Sequence, residues 1–161
     1  MLAPMRIDVV PCLTDNYAYL LVDPSGNTVI VDPSEAEPVV AALSERGLNP
    51  VGIWATHHHH DHVGGIPELL ERFPRLEVVG SGYDAERNRI PKLTHAVQAG
   101  DPLWFESRRV RLLFVPGHTL GAVAYLCDGA LFSGDTLFSA GCGRMFEGTP
   151  EVMQASLASM R

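Results

Sequence analysis

Five histidines and one aspartate follow directly after the apolar run VGIWA at residues 51–55. Among them, His57, His59, Asp61 and His62 form the pattern H-x-H-x-D-H. In an extended segment, side chains two residues apart point the same way, so His57 and His59 can reach one metal ion. Asp61 and His62 are adjacent and diverge, which suits a second metal beside the first. Because imidazole and carboxylate groups are ligands of zinc, iron and manganese, the pattern predicts a metal site at the end of a strand.

This histidine segment has two simpler interpretations, a solvated turn or part of an affinity tag. A tag would stand at a terminus and would not include an aspartate, and a histidine-dense turn after a buried strand has no packing role. The metal interpretation is therefore favoured. We expect the side chains of His58 and His60 to face away from the first metal and to support the fold. His95 has no partner pattern and is interpreted as an ordinary surface or core histidine.

Two further candidate ligands each follow an apolar run: His118 in RLLFVPGHT and Asp135 in ALFSGDT. Ligand groups gather at the carboxyl ends of strands in sheets flanked by helices, so these residues should converge on the histidine segment. A carboxylate can bridge two metals, which is the role assigned to Asp135. Asp32 ends the run TVIVD, and two roles for it stay open. It either hydrogen-bonds a ligand imidazole or caps Ser34 and Glu35 locally.

Short apolar runs alternate with helical patterns along the chain. They predict strands at residues 7–11, 17–23, 28–32, 51–55, 76–79, 110–115, 123–127 and 130–133. They predict helices at residues 35–46 and 65–73 and from Thr149 onward. Residues 87–99 have no assignable pattern. Because a turn at residues 23–27 joins antiparallel strands and later strands are separated by helices, we expect a mixed sheet.

The chain of 161 residues is 46% hydrophobic and 19% charged, which predicts one domain, residues 1–161, with a substantial core. Its three cysteines are far apart, which favours a reducing, cytoplasmic location over a disulfide framework or zinc ribbon. No apolar stretch reaches the roughly 18 residues of a membrane span, so no membrane partner is expected. The net charge of −7 argues against nucleic acid as a partner.

The segments THHHHDHVGG, PGHT, SGDTLF and AGCGRMFEGT resemble, in order and spacing, the metallo-β-lactamase fold superfamily. Within that superfamily they resemble glyoxalase II, also called hydroxyacylglutathione hydrolase, and the resemblance covers nearly the whole chain. It implies an α+β fold, an αββα four-layer sandwich with a two-metal centre in a cleft at one edge of the sheets. CGRMFEGT is the most discriminating segment, because it resembles the part of glyoxalase II that helps to form the thioester site.

The resemblance implies two divalent metal ions, zinc with iron or manganese as alternatives. It assigns the first metal to His57, His59 and His118, the second to Asp61 and His62, and the bridge to Asp135. As catalytic residues, Asp61 and Asp135 would orient the attacking hydroxide. Arg144 and Phe146 match positions that line the glutathione site.

Glyoxalase II also calls for a further histidine in a GHEY-like segment and for a C-terminal helical region with basic residues. Neither is found in this sequence, so the fold is expected to be incomplete at its C-terminus. The apolar positions Met153, Leu157 and Met160 of the last helix would be covered by that region. We therefore expect exposed apolar surface and self-association.

The implied activity is metal-dependent hydrolysis of an S-2-hydroxyacylglutathione, S-D-lactoylglutathione, to a 2-hydroxy acid and glutathione. One alternative is an inactive or partner-dependent metal-binding fragment, which the missing histidine favours. Others are a persulfide dioxygenase-like or lactonase-like member of the same fold. A persulfide dioxygenase would use a single iron held by two histidines and one aspartate, so metal stoichiometry distinguishes it.

Overall fold

The computed structural model describes residues 3–161 and contains, in that range, ten strands and five helices. The strands are β1 (Arg6–Cys12), β2 (Asn16–Val22), β3 (Asn27–Val31), β4 (Asn49–Trp54), β5 (Glu77–Ser81), β6 (His95–Val97), β7 (Leu103–Phe105), β8 (Arg108–Phe114), β9 (Val123–Cys127) and β10 (Ala130–Phe132). The helices are α1 (Ala36–Glu45), α2 (His60–Val63), α3 (Ile66–Arg72), α4 (Gly82–Glu86) and α5 (Pro150–Ser159).

The first sheet has the strand order β1-β2-β3-β4-β5-β6 and is mixed, as predicted. Its first three strands pair antiparallel, and β3 to β6 pair parallel. The turn between β2 and β3 is fixed by the Asp23 carboxylate, which accepts hydrogen bonds from the backbone N–H groups of Ser25 and Asn27, both at 2.8 Å. The parallel part is built by crossovers through α1, α3 and α4, so the carboxyl ends of β3, β4 and β5 meet at one edge.

The second sheet is antiparallel, with the order β10-β9-β8-β7, and it packs face to face on the first. Trp54 of β4 stacks on Tyr125 of β9 at 5.1 Å between ring centroids, and the Tyr125 hydroxyl donates to the carbonyl of Ala55 at 2.9 Å. Helices α1 and α3 cover the other face of the first sheet with residues such as Val39 and Leu69. Helix α5 lies on the outer side of the second sheet, which confirms the predicted four-layer order.

Four short elements were not predicted from the sequence: α2, α4, β6 and β7. Strand β6 lies within residues 87–99, where no pattern could be assigned, and it contains His95. Strands β6 and β7 have three residues each, too few to show a hydrophobic period. Asp61 and His62, for which no helix was predicted, both lie in helix α2.

The apolar stripe of α5 is less exposed than expected. Met153 is 2% exposed and packs against Gly117, where an added Cβ would lie 2.9 Å from the Met153 Cε. Leu157 and Met160 are half-buried. The expectation that this whole stripe is uncovered is therefore wrong, since the turn after β8 covers its first residue. Self-association stays a prediction.

Within residues 3–161, no helix is both long enough and apolar enough to cross a bilayer.

Candidate metal centre

Three overlapping groups of potential metal ligands lie side by side at the edge of the sandwich, and one of them comprises Asp32, His57 and His62. The histidine group comprises His57, His59 and His118, and the carboxylate group comprises Asp61, His62 and Asp135. Within each group, one nitrogen or oxygen atom per residue lies within 4.8 Å of the others. The contributing segments follow β4, form α2, and follow β8 and β10, so the structure brings all six predicted ligands together.

His57 is positioned by its neighbour Thr56 and by Asp32. The Thr56 hydroxyl donates to Asp32 Oδ2 at 2.6 Å and lies 3.0 Å from His57 Nδ1. The hydroxyl proton is thus already committed, so the Thr56 oxygen accepts from the N–H at His57 Nδ1 and the lone pair is left at Nε2. Burial lowers the pKa of His57 well below its ordinary value, and the nearby His62 lowers it further. The imidazole is therefore neutral, which is the form that binds metals.

His118 is fixed by a hydrogen bond to the backbone of a distant segment. Its Nδ1 lies 2.6 Å from the carbonyl oxygen of Arg144, an acceptor, so Nδ1 carries the proton. The lone pair at His118 Nε2 then faces His59 Nδ1, 2.9 Å away. Burial, followed by the neighbouring His118, lowers the pKa of His59. Two imidazole nitrogens therefore converge on one point beside His57.

Asp135 connects the two groups. Its Oδ1 lies 3.2 Å from His62 Nε2, and its Oδ2 lies 3.4 Å from His118 Nε2. One carboxylate oxygen thus faces each group, which is the geometry of a bridging ligand. Asp61 Oδ2 lies 3.6 Å from the same nitrogen, His62 Nε2.

The structure distinguishes between the two roles left open for Asp32. Its carboxylate accepts from Thr56 N at 2.7 Å, from the Thr56 hydroxyl at 2.6 Å, and from His62 Nδ1 at 2.9 Å. Helix α1 has Glu35 as its N-cap residue and no side-chain cap hydrogen bond. Asp32 therefore orients the imidazoles of His57, through Thr56, and of His62. Both carboxylate oxygens of Asp32 accept hydrogen bonds, so Asp32 orients the ligands and is not itself assigned as a metal ligand.

The donor set fits a pair of divalent metal ions. His57 Nε2 and His62 Nε2 are buried and have no hydrogen-bond partner in the described part of the chain. An unpaired buried nitrogen costs free energy, and a cation between the convergent donors would satisfy both atoms. Burial alone lowers the pKa of His62, but the carboxylates of Asp32 and Asp135 raise it to about 10. Asp32 faces Nδ1 of His62 and Asp135 faces Nε2, so a cation at Nε2 would take the place of a proton on the Asp135 side.

Two polar residues that sequence reasoning missed hold Asp61. The Asn16 side-chain amide donates to the Asp61 carbonyl oxygen and to Asp61 Oδ2, both at 3.0 Å, and the Ser34 hydroxyl donates to the same carbonyl at 2.5 Å. Both residues lie next to strands of the first sheet at the edge where the ligands gather. That position is the only signal that could have singled them out.

The two predicted substrate-site residues lie over the histidine group. The Phe146 ring centroid is 5.4 Å from that of His59 and 5.3 Å from that of His118, in edge-on contacts. The Arg144 guanidinium lies 5.4 Å from the Phe146 ring centroid. The segment that contains both residues thus forms a rim on the histidine side of the centre.

The other three histidines lie outside both groups. His58 Nδ1 faces Asp84 Oδ1 at 3.4 Å, and His60 is exposed on α2. His95 lies in β6, with Nδ1 3.2 Å from Glu77 Oε1. None of these three side chains belongs to a ligand group, although His58 and His60 alternate with predicted ligands in sequence.

A cavity of about 500 Å³ opens beside the carboxylate group. His62 and Asp135 form part of its wall, and Tyr17, Tyr19 and Phe138 supply aromatic surface. The two sides of the centre therefore differ, with an aromatic and basic rim over the histidine group and an open cavity beside the carboxylate group.

Comparison with known proteins shows a consistent picture. Residues 14–160 match the family model described as the metallo-beta-lactamase superfamily. A hydroxyacylglutathione hydrolase from Synechococcus sp. strain JA-3-3Ab is 55% identical over 160 residues, which cover 98% of this chain and 63% of that protein. The chain thus spans less than two thirds of the length of the curated relatives it matches.

Solved structures show the same architecture. The B3 metallo-beta-lactamase BLEG-1 superposes with a TM-score of 0.87 at 25% identity, over 95% of this chain and 84% of that one. TTHA1623 in a di-iron-bound form superposes with a TM-score of 0.77 at 29% identity, over 99% of this chain and 85% of that one. The four-layer sandwich is thus shared along most of the chain.

Proposed function

Because this chain belongs to the metallo-beta-lactamase superfamily, we propose that it supplies the two-metal centre of a thioesterase acting on S-2-hydroxyacylglutathione. The products are a 2-hydroxy acid and glutathione, and S-D-lactoylglutathione is the substrate to test first. The names of relatives such as the Synechococcus enzyme support this substrate class.

The observation that carries the proposal is the placement of Asp135 between two ligand groups, with one oxygen toward His62 and the other toward His118. His57, His59, His118 and Asp135 would hold the first metal, and Asp61, His62 and Asp135 the second. We propose zinc, with iron and manganese as alternatives for the same nitrogen and oxygen donors. When bound, such ions lower the pKa of water to about 7 and polarise a carbonyl oxygen.

The residues around the centre have distinct roles in hydrolysis. Asp61 and Asp135 accept hydrogen bonds from the attacking water and orient it toward the thioester carbon. Asn16 keeps the Asp61 carboxylate in place by donating to its Oδ2 at 3.0 Å. The thiol of glutathione has an ordinary pKa of about 8.5 and leaves as the thiolate, so the site needs no strong general acid.

Arg144 and Phe146 are proposed to contact the glutathione part of the substrate. Glutathione carries carboxylates, and Arg144 places a positive charge on the rim beside the histidine group. The cavity on the other side is lined by Asp32 and Asp135 and by no Lys or Arg among the described residues. Charge complementarity therefore directs the anionic peptide of the substrate toward the rim.

Metal content and thiol release test this function. The chain is loaded with zinc, dialysed and analysed for bound metal, and hydrolysis of S-D-lactoylglutathione is followed by the released thiol. We expect about one retained equivalent, because the first site has four protein ligands and the second only three. Hydrolysis should be slow and abolished by a chelator.

A matched pair of variants makes this test specific. H59A should lose metal and activity together, whereas H60A, which removes an exposed imidazole one residue away, should keep both. Absence of bound metal in the unsubstituted chain would refute the two-metal centre. Oxygen uptake with glutathione persulfide, with one iron per chain and no thioester hydrolysis, would support the dioxygenase alternative.

A further inference from the structure

The rim segment, residues 144–148, has no regular secondary structure and depends on its contacts with the turn at His118. Besides the bond from His118 Nδ1 to the Arg144 carbonyl, Phe146 N donates to the His118 carbonyl at 3.2 Å. Gly148 N donates to the Gly117 carbonyl at 3.0 Å. A Cβ at Gly148 would lie 2.6 Å from Gly117 Cα, so the two backbones are in direct contact. The orientation of His118 therefore depends on where the rim segment lies.

The Glu147 side chain turns back from the rim segment toward Leu120 and Arg89. Its Oε2 accepts from the backbone N–H of Leu120 at 2.7 Å, just beyond His118. Its Oε1 accepts from Arg89 Nη1 at 2.7 Å. Burial alone raises the pKa of Glu147, but the Leu120 N–H and the Arg89 guanidinium hold it below its ordinary value. The carboxylate is thus charged and anchored at both oxygens.

Arg89 follows α4 and is itself held by a buried carboxylate. Arg89 Nη1 lies 3.7 Å from Asp84 Oδ1, and the Asp84 side chain is fully buried. Neither Asp84 oxygen has a hydrogen-bond partner among residues 3–161. Burial raises the pKa of Asp84, and the Arg89 guanidinium opposes that shift. Asp84 packs directly under the turn, because a Cβ at Gly121 would lie 2.5 Å from its Cγ.

We propose that Asp84, Arg89 and Glu147 form a positioning cluster that fixes the rim segment against the His118 turn. The cluster thereby sets the direction of the His118 imidazole toward the first metal. None of the three residues faces the ligand groups, so they act through Leu120 and the rim segment. This inference rests on the proposed metal centre. The role of the positioning cluster is distinct from the substrate contacts proposed for Arg144 and Phe146.

The charge of Arg89 is removed in R89M, which keeps a long unbranched side chain. Its control is R72M, because Arg72 makes a similar ion pair with Glu37 at 2.8 Å on the α1 and α3 layer, away from the centre. Cobalt is titrated into each metal-free chain, and both the affinity and the visible absorption spectrum are recorded. Loss of a residue that orients a ligand typically weakens metal binding by about 10- to 100-fold, and we expect about tenfold for R89M because it acts at one remove.

The spectrum and the thermal midpoint separate positioning from general stability. We expect R89M to alter the cobalt spectrum and R89K to restore most of the affinity, and the midpoint of metal-free R89M to fall further than that of R72M, because Asp84 is fully buried whereas Arg72 and Glu37 are exposed. A stability role alone would lower the midpoint and leave the affinity and spectrum unchanged, which would overturn the proposal. Cobalt binding that is unaffected by R89M overturns this inference alone, whereas no binding by the unsubstituted chain overturns the proposed metal centre as well.

A measurement without metal gives an independent readout. In the unsubstituted chain, nitrogen-15 NMR of the imidazoles should show His118 protonated at Nδ1, with slow exchange of that proton, because the Arg144 carbonyl accepts it. In R89M we expect faster exchange and a mixture of tautomers. An unchanged His118 signal in R89M would contradict the proposal regardless of the metal result.

Discussion

The histidine group and the carboxylate group share Asp135 and lie side by side, yet they differ in burial and in support. In the histidine group, His57 is 1% exposed, and hydrogen bonds to Thr56 and to the Arg144 carbonyl set the tautomers of His57 and His118. In the carboxylate group, the Asp61 side chain is 48% exposed, and His62 and Asp135 line the cavity. The first group is supported by Asp32 through Thr56 and by the rim segment. The second is supported by Asn16 of β2 and by Asp32 and Ser34, which follow β3.

This difference indicates how the two metal sites should behave. Imidazoles held in fixed orientations by hydrogen bonds lose little side-chain freedom when an ion binds, so the histidine group is preorganised. A half-exposed carboxylate keeps more freedom and competes with water. We therefore expect the first site to retain its ion and the second to exchange it readily.

Metal removal should have the largest effect on stability. A bound ion stabilises the native state by about 4 kcal/mol when its free concentration is about 1,000 times the Kd. Urea unfolding with and without a chelator should show this loss in the unsubstituted chain. In H59A, the chelator should hardly change the free energy of unfolding. In D61A, it should lower that free energy almost as much as in the unsubstituted chain, because we expect the retained ion at the histidine group. Equal behaviour of the two variants would remove the proposed difference between the sites.

Replacing Asp32 should affect both groups at once. D32A would leave the N–H and hydroxyl of Thr56 and the Nδ1 of His62 without their acceptor. A buried donor without a partner costs about 1–3 kcal/mol, so we expect D32A to lower the free energy of unfolding of the metal-free chain by about 3 kcal/mol. Both metal affinities should also fall. D15A removes an exposed aspartate and should have little effect in the same urea titration.

Replacing Asn16 should sharpen the comparison, because Asn16 supports only the carboxylate group. N16A removes two hydrogen bonds to Asp61 and should cost about 1 kcal/mol of stability. Affinity for the second metal should fall about tenfold, and affinity for the first should stay unchanged. N49A, which removes a side-chain hydrogen bond to Asn27 away from the centre, is the control. A fall in first-site affinity in N16A would show that the two groups are not independently supported.

The sequence was most informative where ligands are close together along the chain. His57, His59, Asp61 and His62 lie in one short segment, and His118 follows a recognisable apolar run. The spacing of these residues after strands was enough to predict that they meet at one edge. The short helix through Asp61 could not be predicted, because four residues carry no helical period.

The supporting contacts could not be read from the sequence because they join residues that are far apart. The bond from Thr56 to Asp32 requires β3 and β4 to be parallel neighbours, with Val31 opposite Trp54. The Arg89–Glu147 pair spans 58 positions. One partner of that pair lies where the sequence has no assignable pattern. Such pairings depend on sheet order, which no local pattern determines.

The smallest predicted effect concerns Phe146, whose ring lies against two ligands of the histidine group, His59 and His118. Its ring is 59% exposed and makes edge-on contacts with His59 and His118. Aromatic pairs are worth about 0.5–1.5 kcal/mol, and partial exposure favours the lower end, so F146A should weaken the first metal site by roughly twofold. The second site should not change, because Phe146 does not contact its ligands. F138A is the matched control, since Phe138 is 46% exposed and lines the cavity on the carboxylate side. Cobalt titration of both variants measures the affinity of the first site, which we expect to fall in F146A and to stay unchanged in F138A. If F138A weakened the first site as much as F146A, the rim would have no special relation to the histidine group.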